Sequence, residues 1–496
     1  MLFSPEAIKN KTDHLDSILS HPELVEQVIG THLSTPFQVE KLERYWEPGG
    51  GATLFRIQTE SESYFLKVKH RSVFVESRLE SAPDFDRRPS LENEAQFLAL
   101  LDSPQTPGVL FYEERDAYCF LALHYLEPFA QAVGRMSFTC LLEAWDELES
   151  FIRELHARGI VHSDLHEGNL CFRDDKLVVC DFEEARFLKQ ELPFEASLDY
   201  CGRNLLGDVG EYPSATGKGI GGLTCLVRLR EVFQQLVRER LSGFLSECHF
   251  DQSCPFNCDE LQEEDPRIYQ SVNLAGLSIA GQRPVRDSRK NVLTYFLFRQ
   301  WQKQKAPVRH LDLGSNLGTF CFHAAGLPFV AETRGFEAFD RYIEAANALR
   351  FLLQADKVRF EHFVCGTSNL ADTGYSGAEV CSMLSVYHHI SDREAFLAAL
   401  RQQRPALLLA EFATQERYYP ERGSVFKEIE FVRERLGYRH AVSLMNSSDY
   451  LRPLVLFTDE PLSAADRFFM RLVKTRLFTP GLALLQLLGR PAGQGV

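Results

Sequence analysis

The chain has 496 residues and a formal net charge of −15 at pH 7. Because an ordinary domain holds roughly 100–200 residues, this length predicts two to four domains. The hydrophobic share of 45% and the charged share of 25% are those of a soluble globular protein. The acidic balance disfavours a general nucleic-acid binder, which needs a positive face for phosphates.

The amino-terminal segment MLFSPEAIKNKTDHLDSILS contains no apolar h-region, so we expect no secretory signal. No uninterrupted apolar run approaches the ~20 residues of a membrane span. These features predict a cytosolic protein whose thiols stay reduced.

Short β-rich strings follow a predicted helical leader over residues 1–35. The strings TLFRIQ and SYFLKVK predict two strands joined by a charged turn. The triplet Gly49, Gly50 and Gly51 precedes them and could form a flexible cover over a phosphate group. The second strand offers Lys67 near its end, with Lys69 on the same face as the alternative.

Two helices are predicted next. The first, LENEAQFLALL, offers Glu94 as the partner of the strand lysine, with Glu92 as the alternative. The second, CLLEAWDELESFIRELHARG, is predicted to end at Gly159. Its apolar residues recur at three-to-four spacing, which indicates one buried face. These residues are Leu141, Trp145, Leu148, Ile152 and Leu155.

The polar run VHSDLHEGNL places Asp164 five positions before Asn169, and Asp181 follows twelve positions later in CDFEEA. Phosphoryl transfer needs a carboxylate that orients the attacking hydroxyl, oxygen ligands for magnesium and a lysine on the nucleotide phosphates. The spacing therefore predicts that Asp164 orients the acceptor. Asn169 and Asp181 are predicted to hold Mg²⁺, because both are hard oxygen donors.

The patterns HSDLHEGN and DFEEA resemble those of kinase-like phosphotransferases that act on small molecules and glycans, such as aminoglycoside, choline and lipopolysaccharide kinases. The resemblance covers roughly residues 40 to 200 and implies an α+β protein-kinase-like fold, ATP as donor, and a small-molecule or sugar hydroxyl as acceptor. The chain has no arginine before Asp164, no D-F-G and no A-P-E. We therefore expect no regulation by a phosphorylated activation loop.

A polar, acidic segment, SECHFDQSCPFNCDELQEEDP, predicts a domain boundary. It holds Cys248, His249, Cys254 and Cys258. Their spacing departs from the paired C-x-x-C of zinc sites, so we favour a loop of reduced thiols over a metal site.

Strand and helix patterns alternate after this segment, which predicts a doubly wound α/β (Rossmann-like) sheet. In VRHLDLGSNLGTF the G-x-G-x-x-G fingerprint fails, because Asn316 and Thr319 occupy its second and third glycine positions. The turn instead resembles that of class I methyltransferases that bind S-adenosylmethionine. The resemblance implies that the amino-acid end of the cofactor is contacted by Asp312, Gly314, Asn316 and Gly318.

The same resemblance assigns further residues around the cofactor. Glu337 in RGFEAF would accept the ribose hydroxyls. In the segment before the first strand, Tyr269 could pack on the cofactor and Arg289, or alternatively Arg283, could bind its carboxylate. In SVYHHI, His388 or His389 could act as a base or bind an anionic acceptor, whereas a solvated helix start is the alternative.

The tail segment AADRFFMRLVKTRLF mixes Phe468 and Phe469 with Arg467 and Arg471. This pattern indicates an amphipathic helix, which either contacts a membrane interface or docks on the second domain.

Together the two halves resemble bifunctional kinase–methyltransferases that terminate bacterial O-antigen polysaccharides, although the kinase part here comes first. The resemblance implies phosphorylation of a terminal sugar and methylation of that phosphate. A tailoring or resistance enzyme acting at two hydroxyls of a metabolite is an alternative, and a kinase-like module that only delivers substrate is another. We predict the divisions 1–35 (leader), 36–247 (kinase-like), 248–266 (linker), 267–460 (methyltransferase) and 461–496 (tail).

Overall fold

The structure is a computed structural model. It describes residues 22–42, 52–70, 90–162, 164–187, 226–247, 270–281, 288–366, 368, 370–373, 377–415, 418–419, 421–447 and 452–473. The chain divides into two compact units, Met1–Leu236 and Val237–Val496. The predicted divisions at residues 35, 247, 266 and 460 stay predictions, and the predicted linker lies outside the described residues.

The first unit begins with a five-stranded antiparallel sheet and two helices, labelled in chain order. The strands are β1 (Gln38–Lys41), β2 (Thr53–Gln58), β3 (Ser63–His70), β4 (Val109–Arg115) and β5 (Tyr118–His124), and the helices are α1 (Pro22–His32) and α2 (Leu91–Leu101). The strand order is β1-β2-β3-β5-β4. The two predicted strands are confirmed as β2 and β3, and the backbone of Thr59 and Glu62 closes the turn between them.

The sheet buries one side chain in two along β2, namely Thr53, Phe55 and Ile57. Val25, Val28 and Ile29 of α1 pack in the same apolar cluster. On β3, the central strand of this sheet, Lys67 lies opposite Leu121 of β5. This pairing holds the base of the Lys67 side chain in the middle of the sheet.

The remainder of the first unit combines helices with short strands. These elements are β6 (Glu127–Pro128), α3 (Phe129–Ala132), α4 (Phe138–Ala157), β7 (Ile160–Val161), β8 (Leu170–Arg173), β9 (Lys176–Val179) and β10 (Arg186–Phe187), with 3-10 turns at Glu167–Asn169 and Phe182–Glu184. Helix α5 (Leu226–Glu247) begins in the first unit and continues past its last residue, Leu236. Helix α4 is the predicted amphipathic helix, and all five of its predicted core residues are buried. It ends before Gly159, whose φ of +69° favours glycine.

The second unit is built on a seven-stranded sheet. Its strands are β13 (Val308–Leu313), β14 (Val330–Glu337), β15 (Val358–His362), β16 (Val380–Met383), β17 (Leu407–Glu411), β18 (His440–Asn446) and β19 (Pro453–Thr458), and a separate hairpin is formed by β11 (Val272–Leu274) and β12 (Leu277–Ile279). The order is β15-β14-β13-β16-β17-β19-β18. The strands β13 to β17 are parallel to one another, and β19 is antiparallel to both β17 and β18.

This order confirms the doubly wound arrangement. The chain moves outward from β13 through β14 to β15 and then crosses back to β16 on the other side of β13. In such sheets, ligands bind outside the carboxyl ends of the strands at this reversal. The turn after β13 and the end of β16 therefore mark the candidate binding edge.

Helices cover both faces of the sheet. They are α6 (Ser288–Gln304), α7 (Thr319–Ala325), α8 (Asp340–Leu353), α9 (Arg393–Gln402), α10 (Val425–Leu436) and α11 (Ala464–Val473). Residues of α6, α7 and α11 share one apolar core with the sheet, and residues of α9 and α10 share the other.

Helix α11 docks on α6 within the second unit. The ring of Phe469 stacks on Tyr295 at 5.0 Å, Tyr295 Oη donates to Asp466 Oδ1 (2.6 Å), and Met470 is buried. Of the two alternatives predicted for the tail, docking on the second unit therefore describes helix α11. Among the described residues, no helix combines the length and apolarity that a membrane span requires.

Two candidate active sites

The first candidate site surrounds the Lys67 ammonium. Lys67 Nζ lies 2.8 Å from Glu94 Oε2 and 2.8 Å from Asp181 Oδ1. Helix α2 begins at the cap Ser90 and turns Glu94 into the interior, where it is fully buried, whereas Glu92 accepts a hydrogen bond from Gln96. The ion pair at this site is therefore formed by Lys67 and Glu94.

The charges at this site depend on one another. Burial alone would lower the pKa of Lys67, but Asp181, Glu94 and Glu183 raise it well above its ordinary value. Burial raises the pKa of Glu94, and Lys67 opposes that rise. The site therefore holds a protonated lysine that can meet a phosphate, as the kinase reaction requires.

Lys69 projects to the same side of β3 but has a different partner. Its ammonium forms an ion pair with Glu183, the second residue after Asp181. Glu183 also lies 4.0 Å from the Lys67 ammonium. The two lysines thus bind successive acidic residues of one loop.

The second part of this site is the loop after β7. Asn169 Nδ2 donates to the main-chain oxygen of Asp164 (2.8 Å) and lies 3.2 Å from its Oδ2. The main-chain oxygen of Asn169 accepts from Cys180 N (2.8 Å), and His162 Nε2 lies 2.8 Å from the Cys180 oxygen. These bonds hold Asp164 and Asn169 next to Cys180, which follows strand β9 and precedes Asp181.

Asp181 has a left-handed backbone (φ +64°), which non-glycine residues adopt rarely. Asn93 supports the segment that follows, because its Nδ2 donates to the main-chain oxygens of Glu183 (2.9 Å) and Ala185 (3.0 Å). Sequence reasoning missed Asn93, and its position beside Glu94 was the only available signal. Helix α2 thus contributes both the lysine partner and a clamp on the Asp181 loop.

The oxygen donors of this site suit magnesium. Asp181 and Asn169 offer a carboxylate and an amide oxygen, as Mg²⁺ requires. Ligand atoms of Glu94, Asp181 and Glu183 also lie within 4.8 Å of one another, but the Lys67 ammonium already binds this acidic group. The glycine triplet at residues 49–51 lies outside the described residues.

The second candidate site starts at the turn after β13. Gly314 and Gly318 have φ of +71° and +77°. A Cβ at Gly314 would lie 2.0 Å from Val386 Cγ2, and a Cβ at Gly318 would lie 2.2 Å from Phe360 Cζ. Both positions therefore need glycine. Asn316 is also left-handed at φ +51°, so the turn folds tightly against the end of the sheet.

Glu337 ties this turn to the end of β14. Its Oε2 accepts from Asn316 N (2.7 Å), and its Oε1 accepts from Ala338 N (2.8 Å) and Phe339 N (3.2 Å). Burial raises its pKa, and these three backbone donors oppose that rise. A carboxylate has about four acceptor positions, so the fixed group keeps capacity for a hydroxyl.

Asp312 and Arg289 lie near the same edge, and each has a partner. Ser382 Oγ donates to Asp312 Oδ1 (2.5 Å), and burial raises the pKa of Asp312 to about 7. Arg289 Nη1 donates to Glu411 Oε2 (2.5 Å), and its guanidinium lies 5.3 Å from the centre of the Phe320 ring. Sequence reasoning missed Glu411, which ends strand β17 and is separated from Arg289 by 122 positions.

The two histidines follow β16 in a 3-10 turn, Tyr387–His389. Their rings lie 4.0 Å apart, and His388 is buried with its ring 4.9 Å from that of Tyr418. The solvated alternative therefore does not describe His388. Burial, and then Arg452, lower the pKa of His389 to about 4, so this ring is neutral at pH 7. Tyr269 and Arg283 lie outside the described residues.

Comparison with known proteins finds similarity to transferases of both predicted kinds. No family model matches the chain. A curated human protein, the putative 3-phosphoinositide-dependent protein kinase 2, is 25% identical over 138 residues, which are 26% of this chain and 33% of that protein. The chain thus spans about a third of the length of this curated relative.

Similar solved structures include one kinase-methyltransferase and a methyltransferase domain. The bifunctional kinase-methyltransferase WbdD is 18% identical, with 42% of this chain and 47% of that chain covered and a TM-score of 0.33. The methyltransferase domain of bacterial CtHen1 is 16% identical, with 34% and 97% covered and a TM-score of 0.27. EvdMO1 is 15% identical, with 44% and 46% covered and a TM-score of 0.29.

Proposed function

We propose that the chain is a bifunctional transferase. The first unit phosphorylates a hydroxyl of a glycan or small molecule with ATP, and the second methylates the product with S-adenosylmethionine. The observation that carries the first activity is the buried Lys67 ammonium held between Glu94 and Asp181. The observation that carries the second is the tight glycine turn bound to Glu337 at the reversal of the sheet.

In the phosphoryl transfer, Lys67 binds the nucleotide phosphates and Glu94 fixes the direction of its side chain. Asn169 and Asp181 would hold Mg²⁺, which neutralises charge on the phosphates when bound. Asp164 accepts a hydrogen bond from the acceptor hydroxyl and orients it toward the phosphorus. The hydrogen bonds from Asn169 to Asp164 keep the two residues in one arrangement.

For the methyl transfer, Glu337 would accept a hydrogen bond from a ribose hydroxyl of the cofactor, Asp312 would bind its ammonium, and Arg289 would bind its carboxylate. The acceptor is the phosphate that the first unit installs. This group is already ionised at neutral pH, so the site needs alignment rather than a strong base. A neutral His389 suits that task, because it can donate a hydrogen bond without taking the acceptor's proton.

The substrate class follows from the chemistry of the first site. The loop motif and the absence of activation-loop sequences favour a sugar or metabolite hydroxyl over a protein. Capping of a surface polysaccharide is the specific form that we propose. A delivery module without kinase activity is disfavoured, because such a module would not need Lys67, Asp164, Asn169 and Asp181 together.

A serial labelling experiment tests the proposal. Label from a radioactive methyl donor should reach a glycan with a free terminal hydroxyl only when ATP is present. Asp164→Ala should remove both phosphorylation and labelling and leave nucleotide binding nearly intact, whereas Asp181→Ala should also weaken magnesium-dependent ATP binding. Gly314→Asp should block methylation alone, since it places a side chain against Val386.

Two results would contradict phosphorylation followed by methylation. Labelling of an unphosphorylated acceptor without ATP would favour the enzyme that modifies two separate hydroxyls. Near-normal phosphorylation by the Asp164→Ala variant would show that Asp164 does not orient the acceptor and that the first site is wrongly assigned.

A further inference from the structure

Four buried side chains form an unbroken hydrogen-bonded chain through the sheet of the second unit. Thr333 Oγ1 lies 2.9 Å from His310 Nδ1, His310 Nε2 lies 2.9 Å from Ser382 Oγ, and Ser382 Oγ lies 2.5 Å from Asp312 Oδ1. Thr333 is on β14, His310 and Asp312 are on β13, and Ser382 is on β16. All four are at most 2% exposed, so water has little access to them.

The direction of this chain is tied to the charge of Asp312. Burial lowers the pKa of His310 to about 3, so its ring is neutral and carries one proton. When Asp312 is ionised, Ser382 must donate to it, and the Ser382 oxygen then accepts from His310 Nε2–H. His310 Nδ1 in turn accepts from the Thr333 hydroxyl.

Protonation of Asp312 at Oδ1, the oxygen that Ser382 contacts, reverses every bond. The Asp312 hydroxyl then donates to Ser382, Ser382 donates to His310 Nε2, and His310 Nδ1–H donates to Thr333. Both arrangements satisfy every member of the buried chain, which such networks require. The tautomer of His310 thus follows the protonation state of Asp312.

We infer that Ser382 and His310 are positioning residues that hold the Asp312 carboxylate for the cofactor ammonium and form a reversible relay with it. This inference rests on the proposed methyltransferase function, in which the turn after β13 meets the amino-acid end of the cofactor. A bound ammonium favours the ionised carboxylate. Cofactor binding should therefore release the Asp312 proton to solvent and select the Nε2–H tautomer of His310.

The surroundings of Asp312 place this change near neutral pH. Burial dominates and raises the pKa of Asp312 to about 7, Ser382 and Cys321 oppose the rise, Glu337 adds to it and Arg289 opposes it. Cys321 Sγ lies 3.8 Å from Asp312 Oδ2 on the side of α7. His323 of α7 is the titratable neighbour of His310, and its charge lowers the pKa of His310.

The relay can be tested without any ligand. Nitrogen NMR of the full chain, selectively labelled at histidine, distinguishes Nδ1–H from Nε2–H, and a His310→Gln variant assigns the resonance. The Nδ1–H form should give way to the Nε2–H form as pH rises, with a midpoint near 7. In Ser382→Ala the tautomer should no longer follow pH. A wild-type tautomer that stays constant across this range overturns the inference.

Binding of S-adenosylhomocysteine, which retains the ammonium, gives the second readout. In calorimetry the affinity of the wild type should rise with pH through the midpoint seen by NMR. Loss of one hydrogen bond to a charged group in Ser382→Ala should weaken binding about 10-fold at neutral pH and move the midpoint upward. Ser382→Thr, which keeps the hydroxyl, should keep the wild-type midpoint.

Thr458→Val is the matched control. Thr458 lies buried on β19, and its hydroxyl accepts from Glu460 N (3.1 Å) rather than bonding to a residue of the relay. This variant should leave the midpoint unchanged, and an equal shift in it would assign the effect to general destabilisation. If S-adenosylhomocysteine does not bind at all, the proposed methyltransferase function is wrong, and the NMR result alone then tests the relay. Binding without any tautomer change would remove the relay alone.

Discussion

Lys67 and Lys69 are identical residues on one face of β3, yet their surroundings give them different roles. Lys67 lies opposite Leu121 of β5 and meets the fully buried Glu94, whereas Lys69 meets Glu183 nearer the strand end. A lysine that neutralises a buried carboxylate has more effect on stability and on catalysis than one that pairs with a loop residue. The adjacent positions therefore form a matched pair for mutagenesis.

We predict that Lys67→Ala lowers kcat/KM for ATP at least about 100-fold and destabilises the first unit by about 3–5 kcal/mol. The stability loss follows because Glu94 remains buried without its cation. Lys69→Ala should have a clearly smaller effect on both quantities. Steady-state kinetics and urea unfolding measure them. Equal losses in the two variants would contradict the assignment of Lys67 to the phosphates.

The difference in unfolding free energy between the wild type and the Lys67→Ala variant should depend on pH. Because burial raises the pKa of Glu94 above its unfolded value, protonated Glu94 contributes stability that is lost as pH rises through the folded pKa. In Lys67→Ala that pKa should rise further, so the variant should lose relatively less stability in acid than at neutral pH.

At the scale of elements, helix α2 is the part that assembles the first site. It presents Glu94 to the sheet and Asn93 to the loop after Asp181, on adjacent positions of one turn. A shift of α2 would break the ion pair and the loop contacts together. This linkage fits the proposed phosphoryl transfer, for which we expect no regulation by a phosphorylated activation loop.

We predict that Asn93→Leu raises the KM for Mg·ATP about 10-fold and lowers kcat. The substitution keeps the volume but leaves the carbonyls of Glu183 and Ala185 without a donor, at about 1–3 kcal/mol. Gln96→Leu is the control on the same helix, because Gln96 is exposed and its Nε2 donates to Glu92 one turn earlier. A KM unchanged by Asn93→Leu would show that the loop keeps its position by other contacts.

Helix α11 buries one side and exposes another. Met470 is buried, whereas Phe468 is 59% exposed among Arg467 and Arg471. An exposed aromatic ring beside basic residues is typical of a peripheral membrane contact. We therefore propose that this side of α11 contacts an anionic membrane surface.

Flotation with vesicles that contain anionic lipid tests this contact. The full chain should float, and Phe468→Asp should reduce the floated fraction several-fold without unfolding the helix. Phe426→Asp is the control, because Phe426 is 74% exposed on α10, away from the tail. Equal flotation of both variants, or no flotation of the wild type, would leave α11 with a docking role alone.

At the scale of the whole molecule, the two sets of site residues lie in separate compact units of one chain. We predict that an equimolar mixture of the Asp164→Ala and Gly314→Asp variants restores ATP-dependent methyl labelling. Each variant supplies the activity that the other lacks, so a released phosphorylated acceptor can pass between molecules. Chromatography of the labelled glycan measures the product.

The amount of methyl labelling in the mixture shows whether the phosphorylated acceptor is released into solution. Labelling near half that of the wild type at equal total protein indicates that the intermediate is released into solution. Labelling that stays absent, although each variant retains its own single activity, would contradict free release and indicate transfer within one chain.

The sequence alone determined the features that depend on local spacing. The strands β2 and β3, the amphipathic helix α4 and its end at Gly159 follow from side-chain periodicity and from glycine conformation. The alternation of elements predicted the doubly wound sheet for the same reason. The spacing of Asp164, Asn169 and Asp181 predicted a kinase-like loop, because these residues lie close together along the chain.

Tertiary structure alone decided which polar groups meet. The choice of Glu94 over Glu92, the clamp by Asn93, the Arg289–Glu411 pair and the relay from His310 to Asp312 were not readable from the sequence. Most of these contacts join residues that are 70 to 122 positions apart on different elements. Their partners are fixed by strand order and side-chain packing. A buried polar group must find its partner among the neighbours that the fold supplies, and a linear pattern does not contain that information.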